Sequence, residues 1–128
     1  MQFLVGTDSV HTTAAICNYL ERRATPEDDV SVIAAFPPDD RSVRRDGQEA
    51  LNVAPVRLAT VGRVETDLRE GEPVSIVLEA ADEVDADEII VGSRGGTPGS
   101  AAAVGSSTQD LLEDASWPVV VVPIPELD

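Results

Sequence analysis

The chain contains no lysine. All nine of its basic residues are arginines, set against 24 aspartates and glutamates, which leaves a formal net charge of −15. A Walker A loop needs a lysine after its last glycine, and a response-regulator receiver uses one at its last strand, so both readings fall. The same balance excludes DNA or RNA binding by a basic face. Cysteine occurs once, as Cys17, so no internal disulfide and no four-thiolate metal site can form, and Cys17 reads as core filler. Histidine also occurs once. His11 has no second histidine or neighbouring cysteine to make a metal site, and we assign it no role. Aromatic residues are scarce, and Trp117 and Tyr19 read as packing residues. No apolar run is long enough to cross a bilayer, and the first residues enter a strand without a basic flank or cleavage site. These features lead to the expectation of a soluble, cytoplasmic protein.

What is abundant is acid and small apolar side chains. Together with the missing lysine, this is the composition associated with salt-accumulating halophiles, where molar salt shortens the Debye length to about 3 Å and screens self-repulsion. A length of 128 residues suits one domain with one core, spanning 1–128.

Apolar periodicity divides the chain into alternating strands and helices. A strand is predicted over Phe3 to Thr7. A helix over Thr12 to Arg23 then places Ala15, Ile16, Tyr19 and Leu20 on one face. Val30 to Phe36 reads as a second strand, stopped by Pro37-Pro38, with a helix from about Asp39 to Asn52 after it. Val61 to Leu68 is the third strand. Gly71-Glu72-Pro73 opens a helix with proline in an early, tolerated position and a buried stripe of Val74, Val77, Ala81 and Val84. Asp87 to Gly92, Ser106 to Ser116 and Val119 to Val122 complete the series as strand, helix and strand. Five strands alternating with four helices imply an α/β fold: a doubly wound, five-stranded parallel sheet with helices on both faces. Ligands of such sheets sit at the carboxyl ends of the strands, where the strand order reverses. If the first and fourth strands flank that crevice, Thr7, Asp8 and Gly92 to Gly95 face one pocket.

The chemistry-bearing motif follows the fourth strand. Gly92-Ser93-Arg94-Gly95 is separated by nine residues from Gly105-Ser106-Ser107-Thr108, after which the helix begins. Glycines let backbone N–H groups close on an anion, and a helix start adds unpaired donors and a favourable dipole, so the pattern suits a phosphate. Structural roles stand beside this one. Ser106 followed by Gln109 is a capping-box pattern, Gly92 and Gly95 can be turn residues, and Asp8 can cap the first helix as readily as it can touch a ligand.

Asp8 after the first strand, the Gly92-x-x-Gly95-(nine residues)-Gly105-Ser106 pattern and the closing run Trp117-Pro118-Val119-Val120-Val121-Val122-Pro123 together resemble the universal stress protein family over essentially the whole chain. The resemblance implies strand order 3-2-1-4-5 and an ATP-binding stress-response regulator, engaged in signalling or slow turnover rather than fast catalysis. It implies Asp8 at the adenosine, Ala35 lining the adenine pocket, and Gly92 and Gly95 at ribose and phosphates, with Arg94 the motif's one cation. Gly105, Ser106 and Ser107 would take the β- and γ-phosphates, with Mg²⁺ accompanying them. It implies a homodimer paired through Val119, Val120, Val121 and Val122. The alternative is a dimeric interaction protein of the same fold that binds no nucleotide. No catalytic residue and no protein-held metal site are assigned.

The charge balance yields a first prediction. Raising potassium chloride from 0.1 M to 2 M is expected to raise the thermal midpoint by more than about 5 °C, on the order of 1 kcal/mol for a domain of this size. Calorimetric melts at matched pH test it, and a flat or falling midpoint would show that carboxylate repulsion does not limit stability.

Overall fold

Residues 1–93 and 106–125 are described by the computed structural model. The alternation read from the sequence is there, as β1 (Gln2–Thr7), α1 (Val10–Arg23), β2 (Asp29–Phe36), α2 (Arg41–Arg57), β3 (Arg63–Glu70), α3 (Pro73–Glu83), β4 (Glu88–Gly92), α4 (Ser106–Asp114) and β5 (Val119–Val122). The strands form one five-stranded sheet in the order β3-β2-β1-β4-β5, and every pairing is parallel.

The period-2 alternation of each strand divides the core between the two faces. Phe3, Val5, Val30, Val32, Ala34 and Ile90 pack with Ile16, Cys17 and Leu20 of α1 and with Leu51 and Ala54 of α2. Leu4, Ile33, Ile89 and Val91 face the other way, onto Val74, Ile76, Val77, Ala80 and Ala81 of α3 and Leu111 of α4. Cys17 lies in the first layer as core filler, and burial pushes its thiol up to about 11. The α3 stripe is wider than the periodicity predicts: Ile76 and Ala80 join it, while Val84, half-buried, ends the helix as its C-cap.

Two elements run past their predicted ends. The second helix was expected to stop near Asn52, yet α2 continues to Arg57 through Pro55. Pro55 is exposed, and the only helical bond it forfeits is its own N–H. Burial of Ala54 and Leu58 holds this last turn against the sheet, and Arg57 ties it to Glu21 and Asn18 of α1. At the other end, Asp39 adopts a left-handed φ of 63° and Asp40 caps the helix, accepting the Val43 N–H at 3.0 Å, so α2 begins at Arg41.

The third strand is displaced by two residues from Val61–Leu68. Val61 and Gly62 are held in the preceding turn, their N–H groups bonded to the carbonyls of Leu58 and Asp28. Within the strand Val64 and Leu68, four residues apart and so on one face, meet the core. As an edge strand β3 carries Arg63, Glu65, Asp67, Arg69 and Glu70, charges that discourage pairing with another chain. It ends at Gly71, whose φ of +148° suits glycine.

Glu72 caps α3. One carboxylate oxygen accepts the Ser75 N–H at 2.8 Å and the other the Val74 N–H at 3.1 Å. These two bonds hold its pKa below the usual glutamate value. A depressed folded-state pKa contributes stability that is present above the unfolded value of about 4.3 and lost as pH falls through the folded one. Glu72→Ala is therefore expected to cost about 1 kcal/mol at pH 7. Urea titrations from pH 7 down to pH 3 should show the variant and the parent converging, and a constant difference across that range would contradict the cap.

Candidate functional site at the carboxyl end of the sheet

The strand order reverses beside β1, which pairs with β2 on one side and β4 on the other. The crossovers from these two strands leave toward opposite faces, and the crevice between them opens at Thr7 and Gly92. Ser9, in an extended conformation, caps α1 by accepting the Thr12 N–H at 3.1 Å. That resolves one alternative: the cap is Ser9 and not Asp8.

Asp8 is instead oriented by hydroxyls. Ser9 Oγ donates to Thr12 Oγ1 at 3.1 Å, and Thr12 Oγ1 donates to Asp8 Oδ1 at 3.1 Å. Below this chain, Thr7 Oγ1 lies 2.8 Å from Thr13 Oγ1, and both reach the Ser9 carbonyl, at 3.3 and 3.1 Å. Thr12 and Thr13 are buried, whereas Asp8 stands exposed at the rim. An ionised carboxylate only accepts hydrogen bonds, so Asp8 suits a ligand that brings hydroxyls, such as a ribose.

Gly92 closes the other side of the crevice. A Cβ at this position would lie 2.9 Å from Ile124 and 3.1 Å from Thr12 Cγ2, so the absent side chain lets the segment after β5 and the first turn of α1 come together. The Gly92 carbonyl accepts from the buried Thr108 hydroxyl at 2.8 Å, which moors the first turn of α4 to the end of β4. Ser93 continues the stitching: its N–H reaches the Val122 carbonyl at 2.8 Å, and its hydroxyl accepts the Ile124 N–H at 3.1 Å. His11 joins this edge through Nε2, which sits 2.8 Å from the Pro125 carbonyl.

Thr7, Asp8 and Gly92 therefore lie together at the carboxyl ends of β1 and β4, Asp8 and Gly92 both reached by Thr12 and Thr7 bonded to Thr13. Ala35 follows Ala34, the register partner of Thr7, and packs half-buried toward α3. Ser106 and Ser107 are exposed on the first turn of α4, brought to the same end of the sheet by the Thr108 bond. Ser106 is the first described residue of that helix. Arg94, Gly95 and Gly105 lie outside the described residues. Sequence reasoning missed Thr12, Thr13 and Thr108. Their signal is slight, hydroxyl residues one or two places inside a predicted helix, and only burial shows them to be anchors. Among the described residues, no group of three or more histidine, cysteine, aspartate or glutamate side chains is placed to hold a metal ion, and no helix is long and apolar enough to cross a membrane.

Comparison with known proteins places this crevice in context. A sequence model of the Universal stress protein family matches residues 1–123. Universal stress protein MJ0531 of Methanocaldococcus jannaschii is 31% identical over 85 residues, 66% of this chain and 50% of that protein, so the match spans about half the relative's length. Among solved structures, a universal stress protein in complex with cAMP is similar at a TM-score of 0.72 and 24% identity, covering 98% of each chain. The universal stress protein of Archaeoglobus fulgidus in complex with dAMP gives 0.69 and 21%, over 95% of this chain and 97% of that one. A family protein of Arabidopsis thaliana with AMP bound gives 0.73 and 15%, over 98% and 92%. All three share the fold described above.

The packing around Gly92 yields a test of its structural share. Gly92→Ala is expected to lower stability by about 1–3 kcal/mol through overpacking against Ile124 and Thr12. The urea midpoint reports it. A midpoint equal to the parent's would mean that Ile124 swings clear at no cost and that Gly92 has no packing role.

Proposed function

The chain belongs to the universal stress protein family, and on that premise we propose that it is an adenine-nucleotide-binding regulator whose ligand lies in the crevice between β1 and β4. The observation that carries this reading is the Asp8 carboxylate at the switch point of the sheet, which accepts from Thr12, a residue that Ser9 bonds in turn and that packs close to Gly92. Structures of the same fold carrying cAMP, dAMP and AMP support it.

In this reading Asp8 accepts from the ribose hydroxyls, Ala35 lines the base, and the chain after Gly92 takes the phosphates together with the first turn of α4. Arg94, Gly95, Gly105, Ser106 and Ser107 are the phosphate ligands, and ATP is the full ligand. Exposed serine hydroxyls on a helical first turn suit phosphate oxygens, which the helix dipole also favours. Mg²⁺ would ride on the phosphates, since Asp8 is the one carboxylate assigned to the crevice and Mg²⁺ commonly takes one or two carboxylates plus substrate phosphates. No general base is assigned beside the phosphates, so the role is retention and signalling, or slow turnover. Residues 1–128 act as one domain, in a salt-rich cytoplasm. The protein is a homodimer through Val119 to Val122, which closes the apolar edge of β5.

A second reading has an observation of its own. Gly92 and Thr108 serve packing and anchoring, which would also fit an interaction protein that binds no nucleotide. Calorimetric titration in molar potassium chloride separates the two, after stripping and mass identification of any co-purified nucleotide. Saturable micromolar binding of Mg-ATP, weakened at least tenfold by Asp8→Ala, is the expected outcome. A folded protein that binds neither Mg-ATP nor AMP and yields no nucleotide would leave the interaction reading standing. Binding of AMP as tight as that of Mg-ATP would remove the phosphate roles given to Ser106 and Ser107.

A further inference from the structure

In a chain with so large an excess of acid, uncompensated cations on the surface need a reason. Along α2, Arg41, Arg44, Arg45 and Gln48 fall on one stripe, because successive helical residues turn by about 100°. The buried stripe of Gly47, Ala50, Leu51 and Ala54 lies to one side; by the same geometry Asp46 falls off the arginine stripe, while Glu49 lies one turn beyond Arg45. The four stripe residues and Leu68 of β3 line an open groove of about 560 Å³ between the helix and the edge of the sheet.

The charges of this groove are not answered from within. Among the described residues, the ion-paired arginines are Arg57 with Glu21, Arg63 with Glu65, and Arg69 with Asp67 and Glu83. Arg41, Arg44 and Arg45 form no such pair, although Arg44 lies over the Phe36 ring at 5.6 Å. Of the neighbouring carboxylates, Asp40 is turned to its own helix as the cap of α2, and among the described residues neither Asp46 nor Glu49 forms an ion pair with these arginines. The half-buried Leu68 and the Phe36 ring add apolar surface beside the cations.

We propose that this groove docks an acidic peptide segment of a partner protein, with carboxylates on Arg41, Arg44 and Arg45 and an apolar residue against Leu68. Guanidinium groups fork onto carboxylates in paired hydrogen bonds, and three within one helical turn can grip carboxylates spaced along a peptide. All three arginines are exposed, so one small anion would gain little from them, as exposed ion pairs do in water. A long polyanion such as nucleic acid would meet the repulsion of the whole chain. A short peptide in high salt feels little of that field, because screening leaves mainly the contacts at close range, while its apolar contact persists. The groove is separate from the crevice at Asp8 and Gly92, and its occupancy does not depend on a nucleotide.

Fluorescence anisotropy tests the proposal, with a fluorescein-labelled peptide of repeated Glu-Glu-Leu units, a Gln-Gln-Leu control, and salt at which the far-ultraviolet circular dichroism is native. Saturable binding of the acidic peptide is expected, weakened at least tenfold in the Arg41→Gln/Arg44→Gln/Arg45→Gln variant and unchanged in Arg22→Gln at the end of α1. Arg45→Gln alone, which leaves the Phe36 stacking intact, should weaken binding severalfold and guards against a folding defect in the triple variant. Absence of saturable binding, equal binding of the control peptide, or an equal loss with Arg22→Gln would overturn it. So would displacement by inorganic phosphate at an ionic strength where chloride has no effect, since the groove would then be an oxyanion site.

Discussion

The constraint on which the rest of this structure depends is the placement of β1 between β2 and β4. A strand paired on both sides and covered on both faces must be apolar throughout, and Phe3, Leu4 and Val5 are each at most 1% exposed. Because β1 is central, the chain leaves it toward one layer of helices and returns to β4 by way of the other. The helices that follow β1 and β4 therefore pack on opposite faces of the sheet, α1 on one and α4 on the other. The crevice follows from this winding, before any particular side chain is considered.

Among the described residues, what lines the crevice is mostly hydroxyl. Thr7, Ser9, Thr12 and Thr13 satisfy one another and the start of α1, and Thr108 does the same for β4 and α4. These short, uncharged groups allow helix starts to sit close to strand ends with few charges nearby. Among the described residues, one carboxylate, Asp8, stands at the rim of this hydroxyl lining. The excess acid of the chain is elsewhere, on exposed helix faces and along the β3 edge, so the local chemistry of the crevice differs from that of the surface as a whole.

The sheet could be read from the sequence because its strands are short apolar runs bounded by glycine, proline or acid, and each predicted strand lies within two residues of the observed one. The misplaced boundaries were set by distant contacts. Pro55 suggests a helix end locally, but Ala54, Leu58 and the Arg57 link to α1 carry α2 beyond it. At the site, Asp8 and Gly92 could be named from their positions at strand ends. The anchors Thr12, Thr13 and Thr108 could not, since a threonine that moors a helix start and a threonine on an outer helix face look alike until burial is known. The cluster of Arg41, Arg44 and Arg45 is visible in the sequence, but its lack of carboxylate partners is not.

The sequence by itself determined the alternation of strand and helix and the strong negative charge of the chain. It also determined that no Walker A lysine and no internal disulfide occur in these 128 residues, because these follow from local periodicity and from composition. Tertiary structure decided that Ser9 and not Asp8 caps α1, that Gly92 is needed where Ile124 and Thr12 converge, and that an arginine groove lies open beside β3. The reason is physical: which side chain answers a polar group, or fills a given space, depends on residues far apart in the chain, and only the packed sheet brings them within reach.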